Sequence, residues 1–193
     1  LLSDLAKNNS RIIPLSFHVD YWNRLGWTDP FSSSEYSDWQ TQYATHFQLE
    51  SIYTPQLVVN GEYELVGSNR NKAESAIQKA LTEHASITVQ IKEVTTAKEK
   101  VKCRVELTGD VKKQELVVVL LQKTAVVKVR AGENEGATLS HINIVRYLSR
   151  QAAKESNEIE LDLPVGLTDK NWKIAAYTRQ RNDLKVTGAT LYE

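Results

Sequence analysis

A change of hydrophobic period near residue 86 constrains this chain more than any other feature. Beyond it, Ile87, Val89 and Ile91, then Val101, Cys103, Val105 and Leu107, alternate with polar residues. Period two is the signature of half-buried antiparallel strands, because successive side chains on a strand point to opposite faces. Leu116 to Gln122, Val126 to Val129, Ile159 to Leu163, Trp172 to Tyr177 and Leu184 to Leu191 read as further strands. Turn-like clusters stand at Thr108-Gly109-Asp110 and Arg181-Asn182-Asp183. About seven strands of this kind predict a β-sandwich over residues 86–193. One segment breaks the pattern: Leu139, Ile142, Val145 and Leu148 stand three apart, and Thr138 to Arg150 reads as a short helix.

Before residue 86, helical and strand patterns take turns. Leu1, Leu2 and Leu5 are at helical spacing up to Asn8-Asn9, so the chain opens inside a helix. Arg11 to Val19 is nearly continuous in apolar residues, as in a central parallel strand buried on both faces. Residues 20–31, with Gly26 and Pro30, read as a loop. Ser32 and Glu35 form a capping box ahead of a helix that carries Tyr36, Trp39, Tyr43 and Phe47 on one face. Gln56 to Val59, Asn60-Gly61 and Glu62 to Val66 read as a hairpin. Asn71 and Glu74 cap a second helix, with Ala73, Ala76, Ile77, Ala80 and Leu81 inward. A buried parallel strand needs a parallel neighbour reached by a crossover, so a further strand is expected before Leu1.

Composition narrows the function classes. Lys plus Arg equals Asp plus Glu at 24 each, which leaves no basic surplus for a phosphate backbone and argues against nucleic acid as a partner. The longest wholly apolar run, Leu116 to Leu121, is far shorter than the roughly 20 residues that cross a bilayer, so no transmembrane segment is read. One cysteine, Cys103, supports neither a disulfide framework nor a thiol metal site, and its alternation with Val101 and Val105 makes it a core residue. No Gly-rich phosphate loop, nucleophile elbow or paired-carboxylate motif is present, and no cofactor is expected.

Strand, helix, Thr-Pro, hairpin and helix, in that order, resemble the thioredoxin fold, with Thr54-Pro55 just before the strand Gln56 to Val59. More narrowly, several motifs are similar to a bacterial secreted family, the domain-of-unknown-function family numbered 1223. They are Ser16-Phe17-His18-Val19-Asp20-Tyr21-Trp22, Leu25-Gly26-Trp27, Asp29-Pro30-Phe31, Tyr53-Thr54-Pro55-Gln56, Val58-Val59-Asn60-Gly61 and Val66-Gly67-Ser68. Gly132-Glu133-Asn134, Gly136, Thr138-Leu139, His141 and Asn143-Ile144-Val145-Arg146 resemble that family's second domain. The resemblance implies an α/β plus all-β protein, with a thioredoxin-like domain over residues 1–85 and a β-sandwich-like domain over 86–193. It also implies a periplasmic or secreted location, and thiol-disulfide exchange on a protein or peptide disulfide. The family's Cys-x-x-Cys would lie upstream of Leu1; this sequence does not contain it. The competing expectation is a non-catalytic peptide- or protein-binding module of the cell envelope.

Both the residue pattern and the resemblance point to candidate site residues. No catalytic residue is visible, and the dithiol is expected before Leu1, where a helix N-terminus would lower a thiol pKa. The resemblance makes Thr54 and a cis Pro55 the substrate groove, with the backbone before the proline open to an extended substrate. At the end of the 11–19 segment, His18, Asp20, Tyr21 and Trp22 are auxiliary candidates. His18 and Asp20 stand two apart on one side of a strand, where they would tune a thiolate, move a proton or supply a minor pair of metal ligands. The competing reading is a His–Asp hydrogen bond that fixes the loop, with Trp22 and Trp27 as its packing. Two ligands fall short of the three or four of a usual zinc site, and no metal is expected. His46 and His84 read as bystanders, and Gly132 to Gly136 as a turn rather than a calcium loop.

Overall fold

The computed structural model describes residues 4, 9–97, 99–131, 135–168 and 170–193. The helix expected over residues 1–8 falls on residues outside this set, except for Asp4, which is helical.

Alternation beyond residue 86 yields strands β3 (Thr88–Ala97), β4 (Lys100–Thr108), β5 (Gln114–Lys128), β6 (Thr138–Ala152), β7 (Ser156–Asp162), β8 (Trp172–Gln180) and β9 (Val186–Tyr192). They pair antiparallel in two sheets, ordered β3-β4-β7 and β6-β5-β8-β9. The inward residues Val101, Cys103 and Val105 of β4 meet Leu116, Val118 and Leu120 of β5 and Ile174 and Ala176 of β8 in one buried core. The two segments expected at 116–122 and 126–129 are one continuous β5 of 15 residues.

Thr138 to Arg150 is not a helix but most of β6. Its three-residue spacing has a cause in the sheet: Leu120 pairs with Tyr147 and Leu121 with Val145, so Arg146 is an extra residue in a β-bulge. The extra residue shifts the alternation by one, and Val145 and Leu148 end up on the same face. Of the turn expected at Gly132 to Gly136, residues 132–134 lie outside the described residues; Glu135 and Gly136 are in a turn.

In the first part of the chain, α1 (Ser34–His46), the hairpin β1 (Gln56–Val59) and β2 (Tyr63–Val66), and α2 (Arg70–Leu81) stand where expected. The caps differ. Ser33, not Ser32, caps α1 by accepting the Glu35 N–H, while the Ser32 hydroxyl is held in the preceding loop by Asn23 and Asp29. Asn69, not Asn71, caps α2 by accepting the Lys72 N–H. The hairpin loop is Asn60-Gly61-Glu62, and a Cβ on Gly61 would lie 2.0 Å from the Leu184 carbonyl oxygen. Only glycine lets the hairpin tip come this close to the β8–β9 turn, where the Val186 N–H donates to the Asn60 carbonyl.

The 11–19 segment is not a central strand. Its one parallel bridge to a strand joins Ser16 to Ile144 on β6, the edge of the four-stranded sheet. Ser16 donates its N–H to Asn143 and accepts the Val145 N–H, each at 2.9 Å, and its hydroxyl donates to Ile142. Pro14 has no N–H with which to extend the ladder. Its carbonyl instead accepts the Asn143 side-chain amide. The apolar residues of the segment, Ile13, Leu15 and Phe17, pack with Tyr36, Trp39 and Tyr43 of α1 against Val117, Val119 and Leu121. The outer face of the four-stranded sheet is thereby covered.

Candidate functional site

The loop after Val19 is built by short-range hydrogen bonds. The Asn23 side-chain oxygen accepts the Asp29 N–H, the Asn23 amide donates to Ser32, and the Asp29 carboxylate accepts the Phe31 N–H at 2.9 Å. These bonds fix the carboxylate, whose other oxygen lies 2.6 Å from His18 Nδ1. The expected His18–Asp20 pair therefore does not form: Asp29 is the partner of His18. Asp20 turns to α1 instead, accepting the Ser37 hydroxyl at 2.6 Å and donating its N–H to the same oxygen.

A second imidazole completes this cluster. His141 of β6 lies edge-on to His18, with ring centroids 4.8 Å apart, and Phe31 packs edge-on to both rings. Burial and the nearby charge of His18 push the His141 pKa below its ordinary value, against a smaller opposite pull from Asp29. Burial alone would raise the Asp29 carboxyl. The His18 hydrogen bond, the Phe31 N–H and the charges of His18 and His141 outweigh it, and its pKa is lowered. Arg146 stacks over Phe31 at 5.1 Å.

Tyr21 and Trp22 point the other way, to the hairpin. The Tyr21 hydroxyl donates to Gln40 at 3.0 Å, and the half-exposed Trp22 donates its indole N–H to Thr54 Oγ1 at 3.0 Å. The Thr54–Pro55 peptide bond is cis. The Pro55 carbonyl accepts the Gly67 N–H at 2.7 Å, and a Cβ on Gly67 would lie 3.3 Å from both the Pro55 Cβ and that oxygen. A polar chain supports this corner: Gln40 donates to the Tyr53 carbonyl and to Gln56, and Glu64 accepts from both Gln56 and the Tyr53 hydroxyl. Burial, and with it the Glu64 carboxylate, pushes the Tyr53 phenol up to about 12.

Thr54, Pro55, Trp22, His18, Asp29 and His141 all line one cleft of about 1680 Å³. Its walls are the 10–19 segment, the aromatic face of α1, β1 and the β8–β9 side of the large sheet. Among the described residues, β1 has a strand partner on one edge alone. The Gly67–Pro55 bond sets the alternation, so Leu57 and Val59 direct their main-chain groups to β2, while those of Gln56 and Val58 face away from it. Among the described residues, the cleft thus has an unpaired strand edge on one wall and a histidine–carboxylate pair on another.

The structure brings Trp22, Tyr21, Thr54 and Pro55 together and separates His18 from Asp20. Asp29, His141 and the Gln40–Gln56–Glu64 chain were not among the expected site residues. His46 packs on Phe47 at the end of α1. Cys103 is buried between the sheets, and burial pushes its thiol up to about 11. Among the described residues, no three or more His, Cys, Asp or Glu side chains gather as a metal-ligand group. No helix among them is long and apolar enough to cross a membrane.

Fold and site define a mixed α/β and β-rich protein, an antiparallel sandwich with a helix-covered outer face and a lined cleft beside it. The chain belongs to the DUF1223 family, proteins of unknown function, whose family model matches residues 1–179. Its structure is similar to that of protein AGR_C_4864 from Agrobacterium tumefaciens, with a TM-score of 0.69 and 22% identity, covering 99% of this chain and 84% of that one. A domain of the outer membrane lipoprotein Omp28 from Porphyromonas gingivalis matches with a TM-score of 0.32 and 18% identity, over 56% of this chain and 94% of that one. No curated protein matches the sequence.

Proposed function

We propose that this DUF1223 member is a thioredoxin-like protein of the bacterial cell envelope that exchanges thiols with protein or peptide disulfides. In this reading residues 1–85 form the thioredoxin-like domain and 86–193 the sandwich domain, and the dithiol belongs to residues N-terminal to Leu1. The observation that carries it is the second edge of β1, which has no strand partner among the described residues and runs from Thr54 and Pro55 along the cleft wall. A free edge takes up another extended segment by main-chain hydrogen bonding. Trp22, bonded to Thr54, supplies an aromatic surface at the same place.

A second reading rests on Cys103. The one thiol of this sequence is buried with a raised pKa, so it offers no thiolate for exchange. On that reading the same edge and cleft bind a peptide or an envelope protein without redox chemistry.

Intact mass of the full-length mature protein after alkylation, with and without prior reduction, separates the two. Two adducts that appear only after reduction are expected for the exchange reading. A mass that never changes by more than the single Cys103 adduct overturns it and leaves the binding module.

A further inference from the structure

We infer that His18 and His141 together bind one divalent transition-metal ion, copper(II) in preference to zinc(II), with Asp29 orienting the His18 ring. The inference stands on this cluster alone and is independent of the thiol chemistry proposed above.

An ionised carboxylate only accepts hydrogen bonds, so Asp29 holds a proton on His18 Nδ1 and makes Nε2 the ring nitrogen left to face an ion. A histidine that ligates a metal is held in just this way, donating its other N–H to a carboxylate. The carboxylate is itself fixed by the Phe31 N–H, so the ring has a set direction before any ion arrives.

The second ligand is unoccupied by protein. Neither His18 Nε2 nor either nitrogen of His141 has a hydrogen-bond partner among the described residues. The two rings lie 4.8 Å apart and are held by contact with Phe31.

The donor set selects the metal. Asp29 has committed one oxygen to His18 and the other to Phe31, so no free carboxylate remains for calcium or magnesium. Two neutral imidazoles favour copper, nickel and zinc, and copper(II) binds most tightly in that series. The cluster lines the cleft, so water or a ligand that enters there can reach an ion held by the two rings.

The test uses the full chain with its accessible thiols alkylated. Titration with copper(II) followed by calorimetry is expected to saturate at one ion per chain, and the electron paramagnetic resonance spectrum to carry the hyperfine pattern of two imidazole nitrogens. His18→Ala and His141→Ala should each weaken binding by about tenfold or more, and Asp29→Asn by about 10- to 100-fold through the orienting contact. His46→Ala and His84→Ala should leave it unchanged. Zinc(II) should bind the same site more weakly. The inference is overturned if the wild-type spectrum shows no nitrogen coupling, or if saturation survives in the His18→Ala/His141→Ala variant. It is equally overturned if copper fails to saturate below the millimolar range. The spectrum of the wild-type chain keeps the test decisive even where a variant folds poorly.

Discussion

The two outer faces of the sandwich share one construction and meet opposite fates. On β4 the inward residues Val101, Cys103, Val105 and Leu107 alternate with Lys100, Lys102, Arg104 and Glu106. Those outward charges pair across the strands: Lys100 with Glu160 at 2.7 Å and Asp162 at 2.8 Å, Lys102 with Glu160 at 3.0 Å, Lys92 with Glu106, and Arg104 with Glu93. On β5 the outward residues are Val117, Val119 and Leu121, and they lie under Tyr36, Trp39 and Tyr43. Strict alternation thus marks the sheet that faces water, and a continuous apolar run marks the sheet buried on both sides. The hydrophobic run that reads as a strand core therefore also reports a second layer, here α1 and the 13–17 segment.

Breaking the covered face should have the largest effect. Trp39 touches the apolar sheet surface on one side, and the Arg179 guanidinium stacks over its ring at 4.1 Å. Arg179 is buried and held by Glu115 at 2.7 Å, with Tyr43 and Gln42 at 3.4 and 3.1 Å. Trp39→Ala removes a large buried ring and uncovers a buried cation, and a loss of about 3–5 kcal/mol is expected. Urea unfolding measures it through the shift of the midpoint. Glu115→Ala should approach the same magnitude, since it strands the Arg179 charge. A loss under about 1 kcal/mol for Trp39→Ala would show that α1 rests on the sheet without stabilising it.

The legible and illegible parts of this molecule divide along the same line. Whatever depends on pattern is legible: β3, β4 and β7 follow from alternation, β8 from its apolar run, and α1 from Tyr36, Trp39 and Tyr43 on one face. The bulge at Arg146 is not, because one inserted residue turns a strand period into an apparent helical one over β6. The 11–19 segment is legible as buried and extended, but not in its partner, since an apolar run does not say which edge it joins; Ser16 chooses β6. The site divides in the same way. Neighbours in sequence, such as Thr54 and Pro55, or Tyr21 and Trp22, can be picked out together. The His18–Asp29 bond depends on how the Asn23 and Ser32 side chains close a loop, and His141 arrives on a strand from the other end of the chain.

The junction between the covered face and the cleft should respond to acid, with an intermediate effect. His141 has a folded pKa below its ordinary 6.5, so the unfolded chain takes up this proton first as pH falls. Its contribution to stability is full above that value and is lost as pH drops through the folded pKa. Asp29 has the same sign lower down: its contribution is full above its ordinary 3.8 and disappears as pH falls through a still lower folded value. Urea midpoints measured in chelator from about pH 7 downward should therefore decline in two stages. His141→Gln should remove the first stage and Asp29→Asn the second. A single decline, unchanged in both variants, would mean that these groups do not join the loop to β6.

The charged face should give the smallest response, and that is what makes it the control for the comparison. Lys102 is more than half exposed, and its partner Glu160 already binds Lys100. Exposed pairs of this kind gain little from Coulomb attraction in water and lose side-chain entropy in holding their geometry. At physiological ionic strength the attraction is further screened within about 8 Å. Lys102→Thr keeps a residue suited to a strand while removing the charge, so the urea midpoint should stay within error of the wild type, with or without added salt. A shift approaching that of Trp39→Ala would mean that the Lys–Glu ladder acts as a covering layer in its own right. Alternation in β4 would then report a second packed face, just as the apolar run does in β5.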